Sequence, residues 1–182
     1  MPSSTLTDAS VCIDLVRDEE YLLLANLLEL YLHDLSETFA QIQLGPDGRF
    51  GYPWLESYWT EREKRFPFLI RQQGKVTGFA LAQRGSPLSD DPEVFDVAEF
   101  FVLRSERRSG VGARAATLLW ERFAGRWIVR VAEGNRAGLP FWTRVIHSYA
   151  GDAASQTVRG EARNRFRVFA FDTQPHVDPG AR

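Results

Sequence analysis

The chain has 182 residues, 44% of them apolar and 13% aromatic, with a formal charge of -2. This is the size of one ordinary domain with a full core, and the charge excludes a surface built mainly for nucleic acid. The single cysteine, Cys12, excludes an internal disulfide, no Cys/His cluster has zinc spacing, and no apolar run reaches the ~18 residues of a membrane span. The opening "MPSSTLTDAS" has neither a basic start nor an apolar stretch, so the expected location is the cytoplasm, with no leader and no membrane contact.

In chain order, residues 1–9 are small and polar and are expected to be loose. "VCIDLV" reads as a first strand with Ile13 and Leu15 on one face. Asp18 and Glu19 open a largely buried helix, "EYLLLANLLELYLHDL". "SETFAQIQL" reads as a second short helix with Ser36 as its N-cap. "GPDGRFGYP" is loop, and "WLESYWTERE" is another short helix. "FPFLIRQQGKVTGFALAQR" reads as a hairpin turning at Gln73, Gly74 and Lys75.

"VFDVAEFFVL" is the most apolar strand and is therefore expected at the centre of the sheet. "GVGARAATLLWERF" is a helix with Val111, Ala115, Leu118, Leu119 and Phe123 on one stripe. A strand, "RWIVRVAE", follows it. "LPFWTRVIHSYA" is a helix with Trp142, Val145, Ile146 and Tyr149 on a stripe. A final pair of strands lies in "TVRGEARNRFRVFAFD". The fold class is α/β (α+β), one mixed-sheet domain over residues 10–172 with a tail at 173–182.

The stretch "RRSGVG", Arg107 to Gly112, lies where the central strand hands over to a helix. Unpartnered N–H groups and the positive end of a helix dipole attract an anion there. Gly110 and Gly112 let phosphate approach the backbone, and Arg107 and Arg108 add charge. The residues alone leave a solvated turn equally open. No Lys-Ser/Thr follows the glycines, so this is not a P-loop. Gly110, Gly112 and Ala115 fit a dinucleotide fingerprint in part, but after the fourth strand rather than the first.

The segment "FVLRSERRSGVG" resembles the cofactor-binding segment of the GCN5-related N-acetyltransferases (GNAT), [RQ]-x-x-G-x-[GA], at Arg107, Gly110 and Gly112. Their second segment, N-x-x-A-x-x-[LF]-[YF], is similar to "NRAGLPFW", with Asn135, Phe141 and Trp142. The element order also resembles theirs over residues 10–172: β, α-α, β-β-β, α, β, α, β-β. The resemblance implies a mostly antiparallel central sheet and acetyl-coenzyme A as co-substrate, without a metal. It places the pyrophosphate on the backbone of Arg107, Arg108, Ser109, Gly110, Val111, Gly112 and Ala113. It also implies that the central strand splays from its neighbour, so that amides around Phe101, Val102 and Leu103 polarise the thioester. Two positions depart from the pattern: Gly138 replaces the alanine, and Trp142 stands where many relatives have a thiolate-protonating tyrosine. Indole has no proton to give at neutral pH, so Tyr149 or water would take that role.

Glu99, an acid within "VAEFFVL", is the candidate general base, since burial would raise its pKa toward the working range. The alternative is a carboxylate on the polar face of the strand or paired with an arginine. Asp96, His33 and His147 are weaker candidates, and Cys12 reads as a core thiol. The acceptor region contains Tyr31, Asp34, Glu37, Tyr52, Trp54, Tyr58 and Trp59, which could hold a cationic amine. Trp54, Leu55, Tyr58 and Trp59 also fit a helix face packed on the core. The expected partner is a small-molecule amine, with a homodimer left open. The expected activity is acetyl transfer by direct attack in a ternary complex. A non-catalytic acyl-coenzyme-A-binding regulatory module is the alternative, and a nucleotide-binding protein the third reading.

Overall fold

A computed structural model describes residues 10–161 and 165–174. The loose N-terminus expected at 1–9 and most of the tail expected at 173–182 lie outside the described residues. The strands are β1 (Val11–Leu15), β2 (Arg65–Gln72), β3 (Lys75–Arg84), β4 (Phe95–Val102), β5 (Gly125–Ala132), β6 (Ser155–Arg159) and β7 (Phe166–Thr173). The helices are α1 (Tyr21–Ser36), α2 (Ser57–Thr60), α3 (Val111–Arg122) and α4 (Gly138–Ala150). Among the described residues, the strands form one sheet in the order β1-β2-β3-β4-β5-β7-β6. The β4–β5 pair is parallel and the other pairs are antiparallel.

The apolar run of β4 earns it the middle of the sheet, with helices on both faces. On one face α3 and α4 bury Val111, Ala115, Leu119, Trp120, Val145 and Ile146 against Phe95, Val97, Trp127 and Val129. On the other, α1 buries Leu24, Leu27 and Leu28 with Leu55 and Tyr58 against Leu69, Phe79, Leu81 and Phe101. The β2–β3 hairpin turns at Gln73 and Gly74, both with positive φ (51° and 76°), as a two-residue turn between right-twisted strands requires.

Several expectations change. No helix forms over "SETFAQIQL". Ser36 is the last residue of α1 rather than a cap, and its hydroxyl donates to the His33 carbonyl. A short helix with no partner to bury its face is marginal, and the segment after Ser36 takes turns instead. The second helix of the order is the four-residue α2. The α1 helix is less buried than its composition suggests, because Leu22, Leu23 and Leu30 face outward. Leu15 is 47% exposed because β1 is an edge strand and its end extends past the core that buries Ile13. Cys12 is not a core thiol. It is exposed on that same edge strand, 3.4 Å from Asp14 Oδ2.

Candidate active site at the splayed strands

The parallel pairing of β4 with β5 spans only Phe95–Val97 against Trp127–Val129. Beyond it the two strands part. The opening begins at a β-bulge. Leu81 of β3 faces Glu99 and Ala82 faces Val97, which leaves Ala98 without a partner. Phe95 and Val97 lie on the α3/α4 face, as do Phe100 and Val102. Ala98 and Phe101 lie on the α1 face. A regular strand would send Glu99 to the side of Val97. The extra residue turns it to the α1 face instead.

There the Glu99 carboxylate accepts two phenol hydroxyls. Tyr31 of α1 donates to Oε2 at 2.5 Å, and Tyr52 donates to Oε1 at 3.0 Å. The residue is partly exposed, but its carboxyl is withdrawn from water. That desolvation raises its pKa above the ordinary value. The two phenols and the charge of Arg130 pull the other way, and Asp96 reinforces the rise. Asp96 is fully buried and committed elsewhere, to Arg130 at 3.0 and 3.2 Å and to Ser86 at 2.5 Å.

The backbone on the open side of β4 is free to work. The Leu103 N–H donates to the Thr77 carbonyl at 2.8 Å. With Phe79 opposite Phe101, antiparallel alternation gives Leu103, Phe101 and Glu99 to β3. The backbone groups of Phe100 and Val102 therefore point into the gap. The Val102 carbonyl meets the Arg107 Nε–H there at 2.8 Å.

At the mouth of the gap, Gly110 precedes α3 with φ 90°, and no side chain caps the helix. The first N–H groups of α3 are left to a ligand. A Cβ on Gly112 would lie 3.2 and 3.3 Å from the Phe141 ring and 3.5 Å from Val102 Cγ2, so a larger residue would press on that ring. Around this turn lies a cavity of about 970 Å³ between the C-terminal part of α1, the end of β4, the turn and the start of α4.

The acetyltransferase (GNAT) family model matches residues 26–146, two thirds of the chain. The chain belongs to the acetyltransferase (GNAT) family. GNAT enzymes use acetyl-coenzyme A, and the cleft offers what a pyrophosphate needs: uncapped amides, glycines at the turn, and arginines. Aminoglycoside acetyltransferase AAC(6')-Ib in complex with coenzyme A is similar in fold, with a TM-score of 0.65 at 12% identity, covering 90% of this chain and 95% of that one. So is yncA from Salmonella typhimurium with its cofactor acetyl-CoA, with a TM-score of 0.62 at 12% identity, covering 94% and 99%. The apo form of FdhC, a nucleotide-linked sugar GNAT, has a TM-score of 0.61 at 13% identity, covering 90% and 87%. At these identities the likeness is one of fold. No curated protein matches the sequence.

Within this GNAT cleft, Phe101, Val102, Arg107, Arg108, Gly110, Gly112, Ala113, Asn135, Phe141 and Trp142 all line the cavity. Three neighbours in sequence do not. Leu103 packs on the α1 side with its N–H already bonded, Ser109 turns its hydroxyl to the Glu106 carbonyl, and Val111 is buried in the core. Arg107 does not extend into the cavity as a free fork. It pairs with Asp34 of α1 at 2.6 Å and lies over the Phe101 ring. Arg104 grips the same carboxylate at 2.7 Å. Arg108, Arg136 and Arg144 line the cavity with no carboxylate partner among the described residues.

Tyr149 is absent from the cavity lining. Its ring packs on Trp120 and Phe171, on the core side of α4. Trp142 does line the cavity, where it meets Phe100 and Phe141 edge to face. Of the acceptor residues, Tyr31, Asp34 and Glu37 line the cavity. Tyr52 lines a second, smaller one of about 210 Å³ with Glu29 and Glu56. Tyr58 and Leu55 are core, Trp59 holds Asp18 through its indole N–H, and Trp54 is 61% exposed. His33 and His147 are exposed. The sequence reading passed over Phe100, Arg136 and Arg144. Arg136 lies within the "NRAGLPFW" segment and Arg144 two residues after it, and their charge beside an anion site was the available signal.

Proposed function

We propose that this GNAT enzyme transfers the acetyl group of acetyl-coenzyme A to a primary amine of a small molecule, by direct attack with both reactants held in the cleft. The observation that carries this reading is the bulge at Ala98, which sets Glu99 beside the splayed strands and frees the amides of Phe100 and Val102. Acetyl-coenzyme A supplies an activated thioester when bound. The amides of the turn and the first turn of α3 would hold its pyrophosphate. The N–H groups of Phe100 and Val102 are the donors placed to polarise a carbonyl in the gap, and one such fixed donor is worth about 3 kcal/mol. Glu99 takes the role of base, its pKa raised above the ordinary carboxylate value by desolvation and so better suited to accept a proton. Glu37 and the Tyr31 ring give the acceptor side of the cavity a face suited to a cationic amine. One similar structure, aminoglycoside acetyltransferase AAC(6')-Ib, is in complex with coenzyme A and kanamycin, which supports a small acceptor here. The lone Cys12 fits work in a reducing cytoplasm.

Calorimetric titration with acetyl-coenzyme A tests the first half, beside Arg108→Glu and Ala113→Trp, which alter the cavity wall, with melting curves to check that the fold is kept. Binding that both variants weaken at least tenfold supports the cleft. No wild-type binding at millimolar cofactor overturns it. Thiol release with a panel of aminoglycosides, amino acids and polyamines tests the second half. A second reading, a non-catalytic acyl-coenzyme-A-binding module, draws on Trp142 standing where a phenol would protonate the thiolate. Cofactor binding without thiol release for any amine would establish it.

A further inference from the structure

Both oxygens of Glu99 are occupied by phenols, and the two phenols lead to different places. Tyr52, on Oε1, lines the small cavity beside α1, and Tyr31, on Oε2, lines the large one. Glu99 itself lines neither. Of this pair, Tyr31 is therefore the residue that an amine in the large cavity meets first. We propose that Tyr31 is a catalytic residue that passes the proton of the acceptor amine to Glu99. This rests on the acetyltransferase reading above.

The step balances on three heavy atoms. The N–H bond of the protonated amine breaks and its proton joins the Tyr31 oxygen. The phenolic O–H bond of Tyr31 breaks and that proton joins Glu99 Oε2. The amine is left with its lone pair, Tyr31 is neutral before and after, and Glu99 ends protonated. The proton returns through the same oxygens to water once the product has gone. Tyr31 serves as a hydroxyl and not as a phenolate, because burial and the Glu99 charge push its own pKa well above the ordinary phenol value. Its ring is fixed edge-on against Phe79 and Phe101, at centroid distances of 5.6 and 5.9 Å, so the oxygen is preorganised. The other groups acting on this pair are Tyr52 from the loop after α1, Tyr58 from α2, Asp96 from β4 and Arg130 from β5. Arg130 is held by Asp96, and Tyr58 is buried in the core, so neither is placed to take the proton.

The comparison of Tyr31→Phe with Tyr52→Phe tests the relay. Each variant removes one hydrogen bond from the same carboxylate and keeps its ring. Only the first alters a residue that lines the large cavity. Two acceptor probes are used with acetyl-coenzyme A, ethanolamine and hydroxylamine, with the enzyme-free rate subtracted. Ethanolamine is protonated near neutral pH and needs a base. Hydroxylamine is neutral there and needs none. Tyr31→Phe is expected to lower kcat about 100-fold with ethanolamine across the whole pH range, and by no more than about threefold with hydroxylamine. Tyr52→Phe is expected to move the rising limb of the ethanolamine profile to higher pH, because a bond favouring the ionised carboxylate is lost, while the plateau is regained. Equal losses in the two variants, or equal losses with the two amines, would reduce Tyr31 to a positioning residue and overturn the relay. Titration of each variant with acetyl-coenzyme A checks that the cleft is intact. Failure of the acetyltransferase reading shows in the wild type, as no transfer to either probe. Failure of the relay shows only in the variants.

Discussion

The carboxylate of Asp34, on α1, is held by the Arg107 guanidinium at 2.6 Å, and Arg107 belongs to the turn before α3. Arg104 binds the other oxygen of Asp34 at 2.7 Å and Arg107 reaches on to the Val102 carbonyl. One acid thus ties the helix on the acceptor side to the turn on the cofactor side. Burial would lift the Asp34 pKa, but the two arginines outweigh it and hold it below the ordinary value.

Asp34→Asn removes the negative charge from this tie. The expected loss of stability is about 1 kcal/mol, the scale of a partly exposed ion-pair network. Because the folded pKa is depressed, that stability is present above the ordinary carboxylate range and fades as pH falls through the folded value. Thermal melts of both proteins should therefore converge in acid. The same variant leaves Arg104 and Arg107 unneutralised beside the cavity, so coenzyme A should bind more tightly at low salt and with a smaller difference at high salt. Calorimetry at two ionic strengths reads this directly. Weaker binding at low salt would show that the tie shapes the turn rather than masking its charge.

Glu99→Gln should separate stability from activity. The folded pKa of Glu99 is raised from 4.5, so the fold favours its neutral form. That contribution is full below the unfolded value and is lost as pH rises through the folded one. A glutamine does not titrate. The variant should gain in melting temperature relative to wild type as the buffer moves from about pH 5 to about pH 8, in line with proton linkage. Transfer to an aliphatic amine should fall by about 100-fold or more. A melting difference that does not change with pH would mean that the carboxylate is well solvated.

The two glycines of the turn should fail in different ways. Gly110 has open space where a Cβ would go, but its φ is 90°. Gly110→Ala should cost about 1–2 kcal/mol from backbone strain alone. Gly112 has no unusual φ but stands against Phe141. Gly112→Ala should leave the melting temperature nearly unchanged if the ring yields, and should weaken coenzyme A binding because the ring moves into the cavity. Melts and titrations of both variants distinguish strain from obstruction.

Gly138 can be tested against the alanine that the GNAT pattern prefers. A Cβ there would lie 2.6–2.9 Å from the amide of Asn135, whose oxygen accepts the Gly138 N–H at 2.7 Å. Replacing glycine with alanine inside a helix ordinarily gains up to about 1 kcal/mol. Here the gain should vanish, because the Asn135 bond at the start of α4 is displaced. A clear rise in melting temperature would show that the asparagine relaxes without cost.

The order of elements and the central place of β4 were legible because periodicity and apolar run length report burial directly. The same holds for the turn at Gly110 and Gly112, where residue type limits backbone shape. The direction of Glu99 was not legible. It depends on one unpaired residue, Ala98, and a bulge leaves no mark on alternation that a sequence reader could separate from noise. Arg107 looked like a phosphate ligand because its charge is visible and its partner, Asp34, is 73 residues away. Tyr31 and Tyr52 were visible as acceptor-side aromatics, but their convergence on one carboxylate is a product of tertiary packing. The missing helix after Ser36 was over-read from a local pattern that no neighbour supports.

Ala98 is a hydrophobic residue of no special chemistry, yet its lack of a partner on β3 sets the parity of everything that follows it in β4. Drawn into the ladder as an ordinary paired residue, it would restore even pleating and send Glu99 to the α3/α4 face with Val97, while every letter of the site remained in the sequence. Length changes in the loops on either side carry no such consequence. Between Phe95 and Val102 the pairing register is thus itself a determinant of where this carboxylate lies, one that a comparison of residue identities alone would overlook.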